Sequence, residues 1–409
     1  MKKKIQETIL MPTYVSRFAC TGGDCEDTCC AGWTITLDKE SFQNYQTSFD
    51  PVLRPLISKY VKRVREVNLP EKHGVIVLKN DASRSCPFLS DKKLCLIQER
   101  SGENALSDTC AYYPRTVHRM GDLHQMTLSL SCPEAARLAL LAEDAFGFVG
   151  QEASVSQGMV RIVPTKGGLS LEAMDEVRTL MIQILRSQDI SLSKRLKIIG
   201  SFCERVTELI QKKQVANLPE LLRSMEAELE SGEAMAPLAG LSELPDVQAQ
   251  IAGFIFVAAK KAPFLAPHVQ QVMDEVTQGL GIQEGAPLDG PALIAAFEKG
   301  LERLRPSMEA VPWLLEHYLL NEALREFFPW GQENPRRHFV TFVVHYLIAR
   351  LMLVGRAASR EAPLTPGELA ETIQVSARRY LHHATFAKQA DEDLMKAGWD
   401  SLERLYALV

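Results

Sequence analysis

Eight of the chain's nine cysteines fall between Cys20 and Cys132, and this crowding constrains the fold more than any other feature of the 409 residues. Their order is Cys20-x4-Cys25-x3-Cys29-Cys30, then Cys86 and Cys95, then Cys110, then Cys132; only Cys203 lies beyond. In a reducing compartment stable disulfides are rare, and grouped cysteines mean metal binding or redox chemistry. The sequence places the chain in such a compartment, the cytoplasm. After Lys2, Lys3 and Lys4, residues 5–18 include Gln6, Glu7, Ser16 and Arg17, and so lack the unbroken apolar stretch of a secretory signal. The apolar run Phe339 to Val354 is short for a membrane span and carries His345 and Arg350. It reads as a buried central helix, and no membrane insertion is expected. A net charge of −5 and a pI near 6.1 leave no basic excess for coating nucleic acid.

Eight thiolates exceed the four that one zinc takes. Adjacent residues point apart in either helix or strand, so Cys29 and Cys30 are not expected to serve one ion together. Two four-ligand sites, or one cluster with the other cysteines packed nearby, both fit the count. Gly22, Gly23 and Asp24 give the backbone the turns that wrapping a centre requires. Cys86-Pro87 and Cys132-Pro133 remove a backbone donor just after a sulfur, as in some ferredoxin-type loops. Cys132 also stands where a helix begins, and the positive end of that helix favours thiolate. Soft sulfur donors select zinc or iron–sulfur, and spacing alone does not choose between them. Cys25-x3-Cys29 is followed at position 32 by Gly32, so no C-x3-C-x2-C run of the usual radical enzymes is present.

The expected fold is mainly α: a small cysteine-rich α+β metal-binding domain over residues 1–135, then an all-helical domain over 136–409. Strand-like runs lie at Trp33–Leu37, Val75–Leu78 and Gln125–Leu130, with an amphipathic stretch at Pro51–Val67. Ser131-x-x-Glu134 has capping-box spacing ahead of a helix from Glu134 to Phe146. Helical periodicity follows at Leu169–Leu185, Leu192–Lys212, Leu218–Leu229, Val247–Ala259, Pro291–Leu304, Val311–Phe328, Arg337–Val354, Thr365–His382 and Ala390–Leu408. Pro/Gly-rich breaks near 232–245 and 279–290 mark possible subdivisions. Gly279-Leu-Gly281-x3-Gly285 follows a helical pattern and not a strand, so it reads as a loop and not as a nucleotide fingerprint.

Particular residues resemble a known family. Phe18-Ala-Cys20, Cys25, Cys29-Cys30 and Gly32-Trp33 look like the opening of the bacterial flagellin lysine-N-methylases. So do Cys86-Pro-Phe-Leu89, Cys95, Cys110-Ala-Tyr-Tyr-Pro-Arg115 and Ser129-Leu-Ser-Cys-Pro-Glu134, with Tyr318-Leu-Leu-Asn-Glu322 and Phe327-Phe-Pro329 later. The cysteine pattern also resembles that of a wider group of zinc- or iron-chelating proteins that lack the long helical remainder. The resemblance implies methyl transfer from S-adenosylmethionine to lysine ε-amino groups of flagellin, with a [4Fe-4S] cluster (zinc being the alternative) held by four of the eight cysteines.

Such chemistry needs a lysine freed of its proton, since its ordinary pKa is about 10.4. It also needs a surface for the donor's sulfonium and a grip on its carboxylate. Tyr112 and Tyr113 are candidates for the surface, and Arg115 for the carboxylate; all three equally suit packing and local pairing. Asn321 and Glu322, polar interruptions of an apolar helix, are candidates for a site or for a helix–helix hydrogen bond. His317, His382 and His383 have no matched partner at i+4 and read as surface or packing residues, and His345 as a hydrogen-bonded core residue. A different class of function also fits: a non-enzymatic chelating or redox-sensing module whose helical part docks a partner.

Overall fold

The computed structural model describes residues 4–409 apart from 66–71, 82–83, 239, 242, 260–265, 284, 382–383 and 400. Its strands are β1 (Lys4–Pro12), β2 (Ile35–Leu37), β3 (Val61–Arg63), β4 (Gly74–Ile76), β5 (Arg115–Met120), β6 (Leu123–Leu128), β7 (Phe148–Ser156) and β8 (Val160–Ile162). Five form one sheet in the order β7-β1-β6-β5-β8, and β2, β4 and β3 form a separate antiparallel sheet in the order β2-β4-β3. β5 and β6 are a hairpin whose register closes at Met120 and Leu123, so the turn is Gly121-Asp122. Gly121 takes the positive φ of 59° that a two-residue hairpin turn demands.

The short sheet and its flanking helices enclose a core of their own, built on Ile35, Leu37, Tyr45, Leu53, Ile57, Phe88 and Ile97. The five-stranded sheet instead belongs to the large core that runs on to the C-terminus. Strand pairing therefore passes residue 135, the boundary expected from the sequence: β7 returns along the whole of β1, and β8 joins β5. These two strands are largely exposed along their length, which explains why their sequence lacks a strong apolar signal.

The remainder is helical. Helix Leu314–Arg325 buries every residue but Leu315, and helix Pro335–Ala358 nearly every one. The latter is the one described helix long and apolar enough to cross a membrane, yet 94% of its apolar window is buried within the protein, as a core helix is. Helix Pro267–Gly279 lies outside the expected helices, although Val269, Val272, Met273 and Val276 recur at helical spacing, and it crosses Pro335–Ala358 closely. A Cβ at Gly279 would stand 1.8 Å from the Gly355 carbonyl oxygen, so the two backbones touch where side chains would not fit.

Elsewhere the expected helices shift in detail. Ser131 does not cap its helix: Cys132 takes the N-cap, the helix is Pro133–Leu141, and Ser131 Oγ lies 2.9 Å from Ser129 Oγ and 3.0 Å from Tyr113 Oη. The segment expected as one helix to His382 is Pro366–Ser376 followed by a π-helical turn, Ala377–Leu381; His382 and His383 lie outside the described residues. The last expected helix divides into Ala384–Lys396 and Leu402–Ala407, with Gly398 at φ 73° between them.

Candidate metal centre

Loop 17–34 carries the first four cysteines across the front of the small lobe. Cys25 N donates to Gly22 O at 3.3 Å, in a short 3-10 turn that Gly22 permits with its φ of 59°. Cys86 N donates to Cys30 O at 2.6 Å, which ties the second cysteine segment to the first. Leu89 bridges to Cys95, and Leu96 N donates to Phe88 O at 2.8 Å, which brings the third beside them. Helix Asp108–Tyr112, capped by Ser107, carries Cys110 and is pinned to β2 by Thr109 Oγ1 at 3.0 Å from Thr36 Oγ1. Cys132 arrives from the other core, at the head of helix Pro133–Leu141.

All eight cysteines line one cavity of about 310 Å³. Cys203 is apart from them, fully buried in the helical core. Backbone N–H groups point at several sulfurs: Asp27 at Cys25, Phe88 at Cys86, Ile97 and Gln98 at Cys95, Glu134 and Ala135 at Cys132. Hydrogen bonds of this kind favour thiolate over thiol and orient a metal ligand. Burial opposes them, and it pushes the Cys86 and Cys132 thiols up to about 12 and raises Cys25 and Cys95 as well. Cys29 goes the other way, to about 7, because the Cys30 thiol hydrogen-bonds to it and the Arg378 guanidinium faces it. Contact between the Cys29 and Cys30 thiols corrects the expectation that these neighbours point apart: they occupy a turn, where neither helical nor strand periodicity applies. Among the described residues, no group of three or more His, Cys, Asp or Glu side chains is gathered to hold a single ion. The thiols surround a space instead of meeting at a point.

The helical part reaches into this cavity. Arg378, from the π-helical turn, lines it and donates to Thr28 O at 2.9 Å and Ala31 O at 3.3 Å. Its Nε lies 3.1 Å from Asp27 Oδ2, a carboxylate that is 1% exposed. Gln374 Nε2 donates to the same Asp27 oxygen at 3.1 Å, and His268 Nε2 stands 3.3 Å from it. None of these four residues is announced by the sequence, since an Arg, an Asp, a Gln and a His far apart in the chain form no motif. The nearest signal is Asp27 standing inside the cysteine loop.

A second cavity, of about 430 Å³, adjoins the first. Phe18, Glu103, Leu106, Ala111 and Arg115 line both. The Arg115 guanidinium lies 5.1 Å from the centre of the Phe18 ring, and no carboxylate or carbonyl among the described residues pairs with it. The neighbouring tyrosines divide between the cavities. Tyr112 lines the second and accepts a hydrogen bond from Ser156 N. Tyr113 lines the cysteine cavity, 5.8 Å ring to ring from Trp33. Glu103 and Asp108 add carboxylates to the second cavity.

Asn321 and Glu322 line neither cavity. Asn321 accepts from Tyr14 Oη at 2.5 Å and donates to Leu128 O at 3.1 Å, stitching helix Leu314–Arg325 to β6. Glu322, wholly buried, accepts from Arg325 at 2.6 Å. His317 lies 3.0 Å from Ala139 O and packs on Phe146, a core role as its lack of a partner at i+4 implies.

Residues 178–408, more than half of the chain, match the family described as the FliB lysine N-methylase C-terminal domain. The chain belongs to that family. Among curated proteins it is 36% identical to a lysine-N-methylase of Salmonella typhimurium over 138 residues, 34% of this chain and 34% of that protein. It is 34% identical to the flagellar biosynthetic protein FliU of Salmonella muenchen over 150 residues, 37% of this chain and 86% of that protein. Its match thus spans about a third of the length of the curated lysine-N-methylases. No solved structure matches the chain.

Proposed function

We propose that this protein transfers methyl groups from S-adenosylmethionine to lysine side chains of flagellin, with a [4Fe-4S] cluster held in the cysteine cavity. The observation that carries this reading is the convergence of eight cysteines, drawn from five separate segments, on one cavity that shares a wall with a second, charged one. Membership of the lysine N-methylase family supports the reaction class. Soft thiols spread around a space suit a polynuclear centre, whose metal atoms take protein sulfurs at different points, better than one zinc ion with four ligands at a point. When bound, the cluster supplies folding energy to the small lobe, or an iron site for the donor's amino and carboxylate groups.

The chain's own residues account for the rest. Arg115, with its guanidinium free of internal partners and seated on Phe18, grips the donor carboxylate at the seam between the cavities. Tyr112 and the carboxylates Glu103 and Asp108 line the space beside it, where they favour a cation: the sulfonium of the donor or the ammonium of the incoming lysine. The lysine ammonium gives its proton to Glu103, Asp108 or solvent, and its nitrogen, in line with the methyl carbon and sulfur, takes the methyl as the carbon–sulfur bond breaks and the sulfonium leaves as a neutral thioether. The apolar part of this wall, Val15, Leu106 and Met126, assists by disfavouring the charged amine.

The test is to incubate anaerobically isolated protein with flagellin and methyl-labelled donor. Label on flagellin lysines, reduced when Arg115 is replaced, supports the proposal; no label from protein with an intact cluster overturns it.

A further inference from the structure

The second cavity already holds a lysine of the chain itself. Lys4, the first residue of β1, is exposed and lines that cavity together with Glu103, Asp108, Tyr112 and Arg115. Strand pairing keeps it there. β1 and β7 run antiparallel along their whole length, and the register sets Lys4 opposite Ser156 and Ile5 opposite Val155. Ser156 is in turn fixed to the cavity wall, its N–H donating to Tyr112 Oη and its Oγ to Asp108 Oδ2 at 3.0 Å. The Lys4 backbone is thus one ladder step from two groups of that wall, and its flexible four-carbon stem reaches into the space it lines. Lysines of the two adjoining cavities differ in how they are held. Lys93, in the cysteine cavity, donates to Cys25 O at 3.4 Å. Lys4 Nζ has no hydrogen-bond or ion-pair partner among the described residues, as an amine that is to react requires.

We propose that Lys4 is a methylation site of the protein's own making: the chain transfers a methyl group from S-adenosylmethionine to its own Lys4 ε-amine in the second cavity. The ammonium gives its proton to Glu103, Asp108 or solvent, the nitrogen–carbon bond forms as the carbon–sulfur bond breaks, and the sulfonium leaves as a neutral thioether. Because β1 tethers the amine, the step is intramolecular and needs no second protein molecule. The amine of a protein substrate enters the same space, so Lys4 competes with it and is modified fastest when no such substrate is bound. Lys93, engaged at Cys25 O in the other cavity, is not a target.

This inference rests on the reading that the second cavity receives both methyl donor and amine, and the experiment separates the two. The full chain is isolated anaerobically, reconstituted with iron and sulfide, and incubated with methyl-labelled S-adenosylmethionine, with and without flagellin. Peptide mass spectrometry then maps the label on both proteins. Without flagellin, label is expected on Lys4, at a rate per molecule that stays level when the protein is diluted. Rising flagellin is expected to slow labelling of Lys4, and Lys4→Arg to abolish labelling of the chain. The wild-type peptide map stands by itself should that variant fail to fold. Labelled flagellin with unlabelled Lys4, label on Lys2, Lys3 or Lys93 in its place, or a rate per molecule that falls on dilution overturns the inference and leaves the reading beneath it intact. Label on Lys4 and none on flagellin supports the inference and overturns flagellin as the substrate. No label on either protein overturns the reading beneath, and the inference with it.

Discussion

Asp27 is where the helical part grips the cysteine loop, and Asp27→Ala tests how much that grip contributes. The carboxylate is buried and meets Arg378 at 3.1 Å, Gln374 at 3.1 Å and the backbone N–H of Thr28 at 2.6 Å. Removing one partner of a buried ion pair costs about 3–5 kcal/mol, because the other charge is left without compensation. Here Arg378 keeps its bonds to Thr28 O and Ala31 O, which places the loss near the lower end, about 3 kcal/mol. Asp27→Asn keeps the shape and the bond to Gln374 and gives up the charge, so it costs roughly 1–3 kcal/mol. Denaturant unfolding under anaerobic conditions reads these values. A cycle with Arg378→Ala isolates the pair, with an expected coupling of about 1–3 kcal/mol. Because Asp27 positions ligands without being one, Asp27→Ala also weakens metal retention by about 10–100-fold against a chelator. A loss below about 0.5 kcal/mol, or effects of Asp27→Ala and Arg378→Ala that simply add, refutes this account of the junction.

Other consequences follow from single residues. Arg115→Lys keeps the charge and loses the fork, so donor affinity falls roughly tenfold or more while metal content stays level, read by donor titration and metal analysis. His118 and His338 are held down to about 4 by burial, against 6.5 when unfolded. Only the unfolded chain therefore takes up protons as pH falls from 6.5 towards 4, so stability contributed by their neutrality is present above 6.5 and lost across that window, by up to roughly 3 kcal/mol each. Replacing either with Leu flattens the fall of melting temperature between pH 7 and 4.5. Gly279→Ala drives a Cβ into the Gly355 carbonyl and costs about 1–3 kcal/mol in unfolding experiments, whereas Gly367→Ala, with open space at its Cβ, changes little.

Most of the helical architecture was legible because long amphipathic segments carry their own period: Leu171–Leu185 and Leu192–Gln211 fall within a residue or two of their expected limits. The sheet was only partly legible. β4 shows an apolar run and β2 and β6 an alternation of polar with apolar, but β7 and β8 are mostly exposed and gain their place from pairing with β1 and β5, which no local pattern records. Cys132 could be placed at a helix start from the proline after it. That the eight cysteines share one cavity was implied by their number and not by their spacing, since Cys132 reaches it from a different core. Arg378 and Gln374 were invisible because their partner, Asp27, is some 350 residues away in sequence and adjacent only once the chain has folded. Asn321 and Glu322 show the reverse: conspicuous in an apolar helix, they satisfy one another's neighbours inside the core.

The visible spectrum and metal content of freshly isolated, anaerobically prepared protein test the central claim most directly. Brown protein with broad visible absorption, containing iron and acid-labile sulfide that are lost when the cavity cysteines are replaced, is the predicted result. Colourless protein with stoichiometric zinc and no iron contradicts it.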